Sequence, residues 1–318
     1  MDTMRYQVHP SEKAVTVCCP VCGQPGEPGL RRIDFGRCGQ CGVMFRVRGG
    51  RSRADAAHTE YLDPAVRVKN VFLTQMARVR VSLLQRSAPK GRVLEIGCAT
   101  GEFVEEAARN GWEIEGIDTS PHYTRHAQAR GLPVQCRSID ELAPDEKFDV
   151  ICMFHLIEHI PAPFPFLHAL RRHLRAQGKV VLITPNADAR TDRIFGQAHP
   201  KFRQADHVVL YSRRGIEALL GDDFDIMQIA TKEYPHHFFT SLLGTVKHAV
   251  KKDQHKRGGS PLDAPVSRTA YPVCPSLNRA PYALGEMTKT ILSPYARWVE
   301  SRGQGHELIV IAQQKRND

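Results

Sequence analysis

Apolar residues in this chain come in short dense runs, separated by longer stretches where they recur at helical spacing. Val93, Leu94 and Ile96 form one run. Trp112 to Ile117, Val134 to Cys136, Phe148 to Met153, Lys179 to Thr184, Phe224 to Ala230 and Glu307 to Ala312 form the others. Runs this short and this apolar suit strands covered on both faces. Between them, Ser120-Pro121 reads as an N-cap with proline at the first helical position, and the helix runs to about Arg130, where Gly131 ends it. A helix to Arg175 with Gly178 as its C-cap is expected next, and another from Arg214 to Leu220. Ahead of the first run, Val68, Val71, Phe72, Met76, Val79, Leu83 and Leu84 mark a helix between Tyr61 and Arg86. Strand and helix alternate from Gly91 onward, which predicts an α/β fold around a parallel sheet.

The first run leads into Glu95-Ile96-Gly97-Cys98-Ala99-Thr100-Gly101. Gly97 and Gly101 bracket a tight turn where the backbone bends sharply and a ligand comes close. Thr100 is placed to cap the helix that follows, whose free N–H groups face the turn. Glu95 lies at the strand's C-terminal end, where an open α/β sheet keeps its ligand crevice. Asp118 ends the second run about twenty residues on, the place of an acid that accepts hydrogen bonds from both ribose hydroxyls. Strand, turn and acid together fit either NAD or S-adenosylmethionine.

The turn lacks GxGxxG spacing and resembles motif I of the class I S-adenosylmethionine-dependent methyltransferases, with Ala99 where the middle glycine is usual. The phrases Phe148-Asp149-Val150-Ile151 and Leu156-Ile157-Glu158-His159-Ile160-Pro161-Ala162-Pro163 are similar to the later region of the same family. The resemblance implies a Rossmann-like seven-stranded sheet whose last strand inserts antiparallel. It also implies S-adenosylmethionine as cofactor, held by Glu95, Gly97, Cys98, Ala99, Gly101, Asp118, Thr119, Ser138, Ile139 and Phe154. Ser138 stands where the family commonly has an acid for the adenine amino group, and Ile139 is expected to pack on the ring. Tyr61 is a candidate to close over the cofactor, with a surface aromatic as the alternative.

Four cysteines change the picture at the N-terminal end. Cys19-Pro20-Val21-Cys22 is followed after fifteen residues by Cys38-Gly39-Gln40-Cys41. Two C-x2-C pairs at this gap, each on a turn, predict tetrahedral zinc bound by Cys19, Cys22, Cys38 and Cys41. With every position filled by sulfur the site is structural, and the metal supplies stability that so small a segment cannot. Cys18 is a spare neighbour. The segment resembles the zinc ribbon ahead of some bacterial small-molecule methyltransferases, including sugar C-methyltransferases. The expected organisation is a ribbon over 14–48, a linker over 49–60 and a methyltransferase domain over 61–318, with a helical insertion at 232–305. In that insertion Phe239, Leu242, Leu243, Val246 and Val250 mark one amphipathic helix, and Leu284, Met287, Ile291, Tyr295 and Trp298 a second. A lid over the domain is the preferred reading, with membrane-surface association as the alternative.

Composition narrows the setting. The 318 residues carry 42% hydrophobic and 25% charged residues, ordinary for a globular chain. No run is long and apolar enough to span a bilayer, and the polar N-terminus lacks a signal-peptide core. A cytoplasmic protein with reduced thiols is expected. The net charge of +10 is spread without a dense basic tract, which weakens a nucleic-acid partner without removing it. The sequence does not set the oligomeric state.

The chemistry then falls to histidines. An acceptor hydroxyl or activated carbon must lose a proton, and His155, His159 and His207 are the candidate bases. The stretch Glu158-His159, Thr184-Pro185-Asn186 and Asp206-His207 also resembles metal-dependent O-methyltransferases, such as those acting on small-RNA 3′ ends. That resemblance implies a divalent ion on His155, Glu158, His159 and His207. The alternative is that Glu158 and His159 only cap and orient the next helix. Three functions remain open at this level: methyl transfer to a small molecule such as a sugar or glycolipid precursor, with O-methylation preferred; 2′-O methylation of RNA; or a non-catalytic binding module.

Overall fold

The computed structural model describes residues 17–27, 35–47, 71–195, 199–202, 204, 206–234 and 289–316. The expected linker, Tyr61, and the first insertion helix lie outside the described residues.

The central strand shows why the short apolar runs become a sheet. In β4 (Arg92–Ile96), Val93 faces one apolar cluster with Leu84, Phe103, Val104 and Ile183, while Leu94 and Ile96 face another with Leu156, Leu170 and Ile216. Both faces are covered, so alternation of polar and apolar positions disappears. The remaining strands of this sheet are β5 (Glu113–Asp118), β6 (Val134–Cys136), β7 (Phe148–Phe154), β8 (Leu174–Pro185), β10 (Phe224–Lys232) and β11 (Glu307–Gln314). Their order is β10-β11-β8-β7-β4-β5-β6, with β4 to β8 parallel and β11 antiparallel to both neighbours. The order reverses between β4 and β7, and a crevice opens beyond the carboxyl ends of these strands.

Helices α1 (Val71–Ser87) and α2 (Glu102–Arg109) cover one face, with α3 (Pro121–Ala129) beside them; α4 (Pro163–Arg172) and α6 (Arg213–Leu220) cover the other. Helix α5 (Arg190–Phe195) lies in the segment after β8, and α7 (Lys289–Ser301) precedes β11. Two expectations are corrected here. Helix α4 stops at Arg172 rather than Arg175, because Leu174 already pairs with Phe148 across the sheet. Gly178 therefore lies inside β8 and caps nothing, and Gln177 takes the left-handed turn at φ 60°.

The cysteine segment builds β1 (Gly26–Glu27), β2 (Phe35–Cys38) and β3 (Met44–Arg46), an antiparallel ribbon. Its sheet has a fourth strand, β9 (Val209–Leu210), supplied by the loop after β8: Met44 pairs with Leu210 and Phe45 with Val209. Cys19, Val21, Val43 and Phe45 join the same apolar cluster as Leu156, Ile157, Tyr211 and Ile216. The ribbon thus packs on the α4–α6 face, against the segments that frame the crevice.

Candidate active site

The turn after β4 is set by hydrogen bonds to the end of β5. Gly97 N and Cys98 N both donate to the Ile117 carbonyl, at 2.8 and 3.1 Å. Asp118, 2% exposed, accepts from Ala99 N at 2.9 Å through one oxygen and from Ser120 N at 2.8 Å through the other. Gly97, Ala99 and Gly101 all take positive φ, at 75°, 48° and 78°. A left-handed residue with a Cβ costs about 1–2 kcal/mol, and the bond to Asp118 holds Ala99 there. A Cβ on Gly97 would stand 3.0 Å from Leu156 Cδ1, so that side-chain end would have to give by a few tenths of an ångström.

Several expected residues take other places. Thr100 does not cap α2; Gly101 is the N-cap, and the Thr100 hydroxyl donates to Glu102 instead. The Ser138 hydroxyl and N–H both turn to Glu141, closing a capping box on the short turn at Ile139–Glu141. Ile139 is buried beside it. Phe154 belongs to the core below the turn, edge-on to Phe103 at 4.9 Å. Cys98 packs under the same turn against Gly116, and Glu95 is buried between β5 and β7. Thr119 is exposed at the lip.

The cysteine sulfurs converge as the spacing predicts. Cys19 and Cys41 are 3.5 Å apart, Cys22 and Cys38 3.4 Å, and all four sulfurs lie within 4.8 Å of one another. Zinc–sulfur bonds of about 2.3 Å set tetrahedral edges near 3.8 Å, so the four thiols fit that ion. Cys18 is exposed and outside the cluster.

Beyond β7 the chain makes one short turn, Ile157–His159, and there three groups meet. Glu158 is fully buried, and one of its oxygens accepts from the Thr184 hydroxyl at 3.0 Å. His159 Nδ1 lies 2.9 Å from the Asp206 carbonyl, and His207 Nδ1 2.9 Å from the Lys201 carbonyl. A carbonyl only accepts, so both rings carry a proton on Nδ1, which in a neutral ring leaves the lone pair on Nε2. The two rings are 5.0 Å apart, and Glu158, His159 and His207 each bring a ligand-type atom within 4.8 Å of the others. Burial holds His207 down at about 4, with His159 adding to the effect, so its ring is neutral near pH 7. Glu158 is buried against its charge, yet His155, His159 and His207 hold its carboxyl down at about 2.

His155 stands apart from this cluster. It has φ 55°, with Nδ1 3.3 Å from Glu158 and Nε2 3.2 Å from Glu307. Burial alone would lower its pKa, but the two carboxylates push it up to about 9. Both ring nitrogens therefore face carboxylates, and the raised pKa favours the imidazolium near neutral pH. Glu158 and His159 do not cap α4, which begins at Ala162 and Pro163.

Sequence reasoning missed a second buried polar group nearby. Lys201, 3% exposed, pairs with Asp192 and donates to the Asn186 carbonyl at 2.5 Å. Glu233 is 2% exposed, and burial, with Glu307 and Glu300 adding, pushes its carboxyl up to about 8. No spacing rule marks these residues, since they come from separate segments and meet only in the fold.

Residues 69–225 match a family model described as a methyltransferase domain. This chain contains a methyltransferase domain. Its sheet, seven strands with the last one antiparallel, has the order and direction that the resemblance to the class I S-adenosylmethionine-dependent methyltransferases implied. The ubiquinone biosynthesis O-methyltransferase of Xanthomonas oryzae pv. oryzae is 32% identical over 103 residues, covering 30% of this chain and 43% of that protein. The protein of the same name from Alkalilimnicola ehrlichii is 27% identical over 149 residues, 44% of this chain and 60% of that one. The chain therefore spans about half the length of the curated relatives it matches. Among solved structures, a SAM-dependent methyltransferase from Archaeoglobus fulgidus aligns at 17% identity and a TM-score of 0.48, covering 76% of this chain and 94% of that one. Among the described residues, no helix of the methyltransferase domain or ribbon is long and apolar enough to cross a membrane.

Proposed function

We propose that the chain transfers a methyl group from S-adenosylmethionine to an oxygen of a small molecule. The observation that carries the reading is the Asp118-braced turn at the point where the strand order reverses. Asp118 would hold the ribose hydroxyls, the N-terminal turn of α2 the methionyl carboxylate, and Ile139 one face of the adenine. When bound, the cofactor supplies a sulfonium-activated methyl. The protein's own part is to align the acceptor, exclude water and take a proton. His207 suits the last task through Nε2, since burial keeps it neutral, and His159 stands 5.0 Å from it as the other candidate. The named role of the matched relatives places an oxygen acceptor first. A sugar or other polyhydroxylated acceptor agrees with the polar groups around Lys201 and Glu233.

Calorimetry with S-adenosylmethionine tests the cofactor assignment. Asp118→Ala should weaken binding at least about tenfold, the loss of roughly 1.4 kcal/mol. Wild-type protein that does not bind, or a variant that binds equally, overturns it.

The convergence of Glu158, His159 and His207 favours a second reading, in which a divalent ion sits on these three and acidifies the acceptor hydroxyl. Two imidazoles and one carboxylate, each imidazole fixed by a carbonyl, make a suitable donor set. Manganese titration followed by electron paramagnetic resonance should reveal one bound ion in the wild type and none in Glu158→Gln. Equal binding by both proteins excludes the site.

A further inference from the structure

The ribbon's polar groups are spent inward, on the acceptor side of the crevice. Arg46, at the end of β3, donates from Nε to the His207 carbonyl at 2.7 Å and from Nη2 to the Gln204 carbonyl at 2.6 Å. Its guanidinium lies over the Phe35 ring, 4.8 Å from the centroid, which fixes its plane. Its backbone N–H donates to the Val208 carbonyl at 3.0 Å, and Val208 N donates to the Glu158 carbonyl at 2.9 Å. One ladder therefore runs from the ribbon through 207–208 to the segment bearing Glu158 and His159. The cysteine turns are tied in as well. Ser212 Oγ donates to the Cys41 carbonyl at 2.5 Å and accepts from Gly215 N in the first turn of α6. Arg37 pairs with Asp188 and donates to the Ala187 carbonyl at 3.3 Å.

We propose that the four-cysteine ribbon is the scaffold of the acceptor half of the site, and that Arg46 is the positioning residue that fixes the backbone bearing His207. The inference rests on the reading of His159 and His207 as acceptor-side groups. Arg46 touches no reacting atom. It holds the backbone at Gln204 and His207 so that the Lys201 carbonyl receives His207 Nδ1–H while the ring keeps a ligand-type atom within 4.8 Å of Glu158. The cofactor turn lies on other strands, so ribbon and cofactor binding are separable.

The test uses the full-length, zinc-loaded protein labelled with 15N-histidine. In the wild type His207 should give the nitrogen shifts of a single Nδ1–H tautomer at neutral pH. Arg46→Ala should keep its zinc and its affinity for S-adenosylmethionine within about twofold, yet lose the single tautomer and exchange the Val208 amide at least about tenfold faster. Arg46→Lys, which reaches one of the two carbonyls, should restore part of both signals. A loss of stability alone would not change the tautomer. Removal of zinc from the wild type should reproduce the Arg46→Ala signature. An unchanged His207 tautomer and Val208 exchange in zinc-retaining Arg46→Ala, or in the zinc-free wild type, overturns the proposal. If Arg46→Ala does not fold, Arg46→Lys and zinc removal decide it. A wild type that fails to bind S-adenosylmethionine but shows the Arg46 effect refutes the methyl-transfer reading and leaves this one standing.

Discussion

His155 illustrates how a residue's chemistry follows from its neighbours rather than its type. Glu158 and Glu307 raise its pKa from 6.5 to about 9, so the folded state keeps a proton that the unfolded chain releases near pH 6.5. The pair's contribution is whole below that value and lost as pH rises through about 9. The melting temperature of His155→Gln should therefore lie furthest below wild type near pH 6, and the gap should close by about pH 10. A gap that stays constant across this range, measured by thermal unfolding, would contradict the assignment. Asp118 was legible from its distance to the glycine turn, because a covalent chain fixes where the end of the second strand falls. His155 was legible only as a polar residue after a strand. Glu307, its second carboxylate partner, lies 152 positions away in sequence (307 minus 155).

At the level of elements, the cofactor turn depends on the strand beside it. A Cβ on Gly116 of β5 would come within 2.8 Å of both Cβ and Sγ of Cys98 and 2.9 Å of Val104 Cγ2. Those atoms are the turn and the second residue of α2's buried face, neither of which is a flexible side-chain end. Gly116→Ala should cost about 1–3 kcal/mol in urea unfolding and weaken S-adenosylmethionine binding, because relief of the overlap displaces the turn. An unchanged unfolding midpoint would show that Cys98 can yield. The strands were readable because burial on both faces leaves an apolar run with no alternation. The end of α4 was not. Local propensity allowed the helix to continue, and pairing of Leu174 with Phe148 ended it three residues early.

Over the whole molecule, the ribbon and the methyltransferase domain share a sheet, an apolar cluster and a run of hydrogen bonds. Four thiols at a spacing that fits a tetrahedral zinc ion would account, with the ion bound, for how a segment too small for a core of its own holds its shape. Strand β9 explains why that shape matters to the rest, since it is drawn from the loop that carries His207. The stated charge of +10 has no concentrated tract along the sequence, and two of the ribbon's arginines, Arg37 and Arg46, are engaged by the domain.

By itself the sequence determined what depends on near neighbours along the chain: the alternation of strands and helices, the glycine turn with its acid, and the two cysteine pairs. Periodicity, turn geometry and ligand spacing act over a few residues, so each leaves its mark in the order of side chains. The tertiary structure alone decided what depends on groups far apart in sequence. It gave His155 to two carboxylates, left Glu158, His159 and His207 as the set that converges, buried Lys201 and Glu233, and joined the ribbon to the loop of His207. Burial and charge act through space, and no local pattern encodes which distant segments will meet.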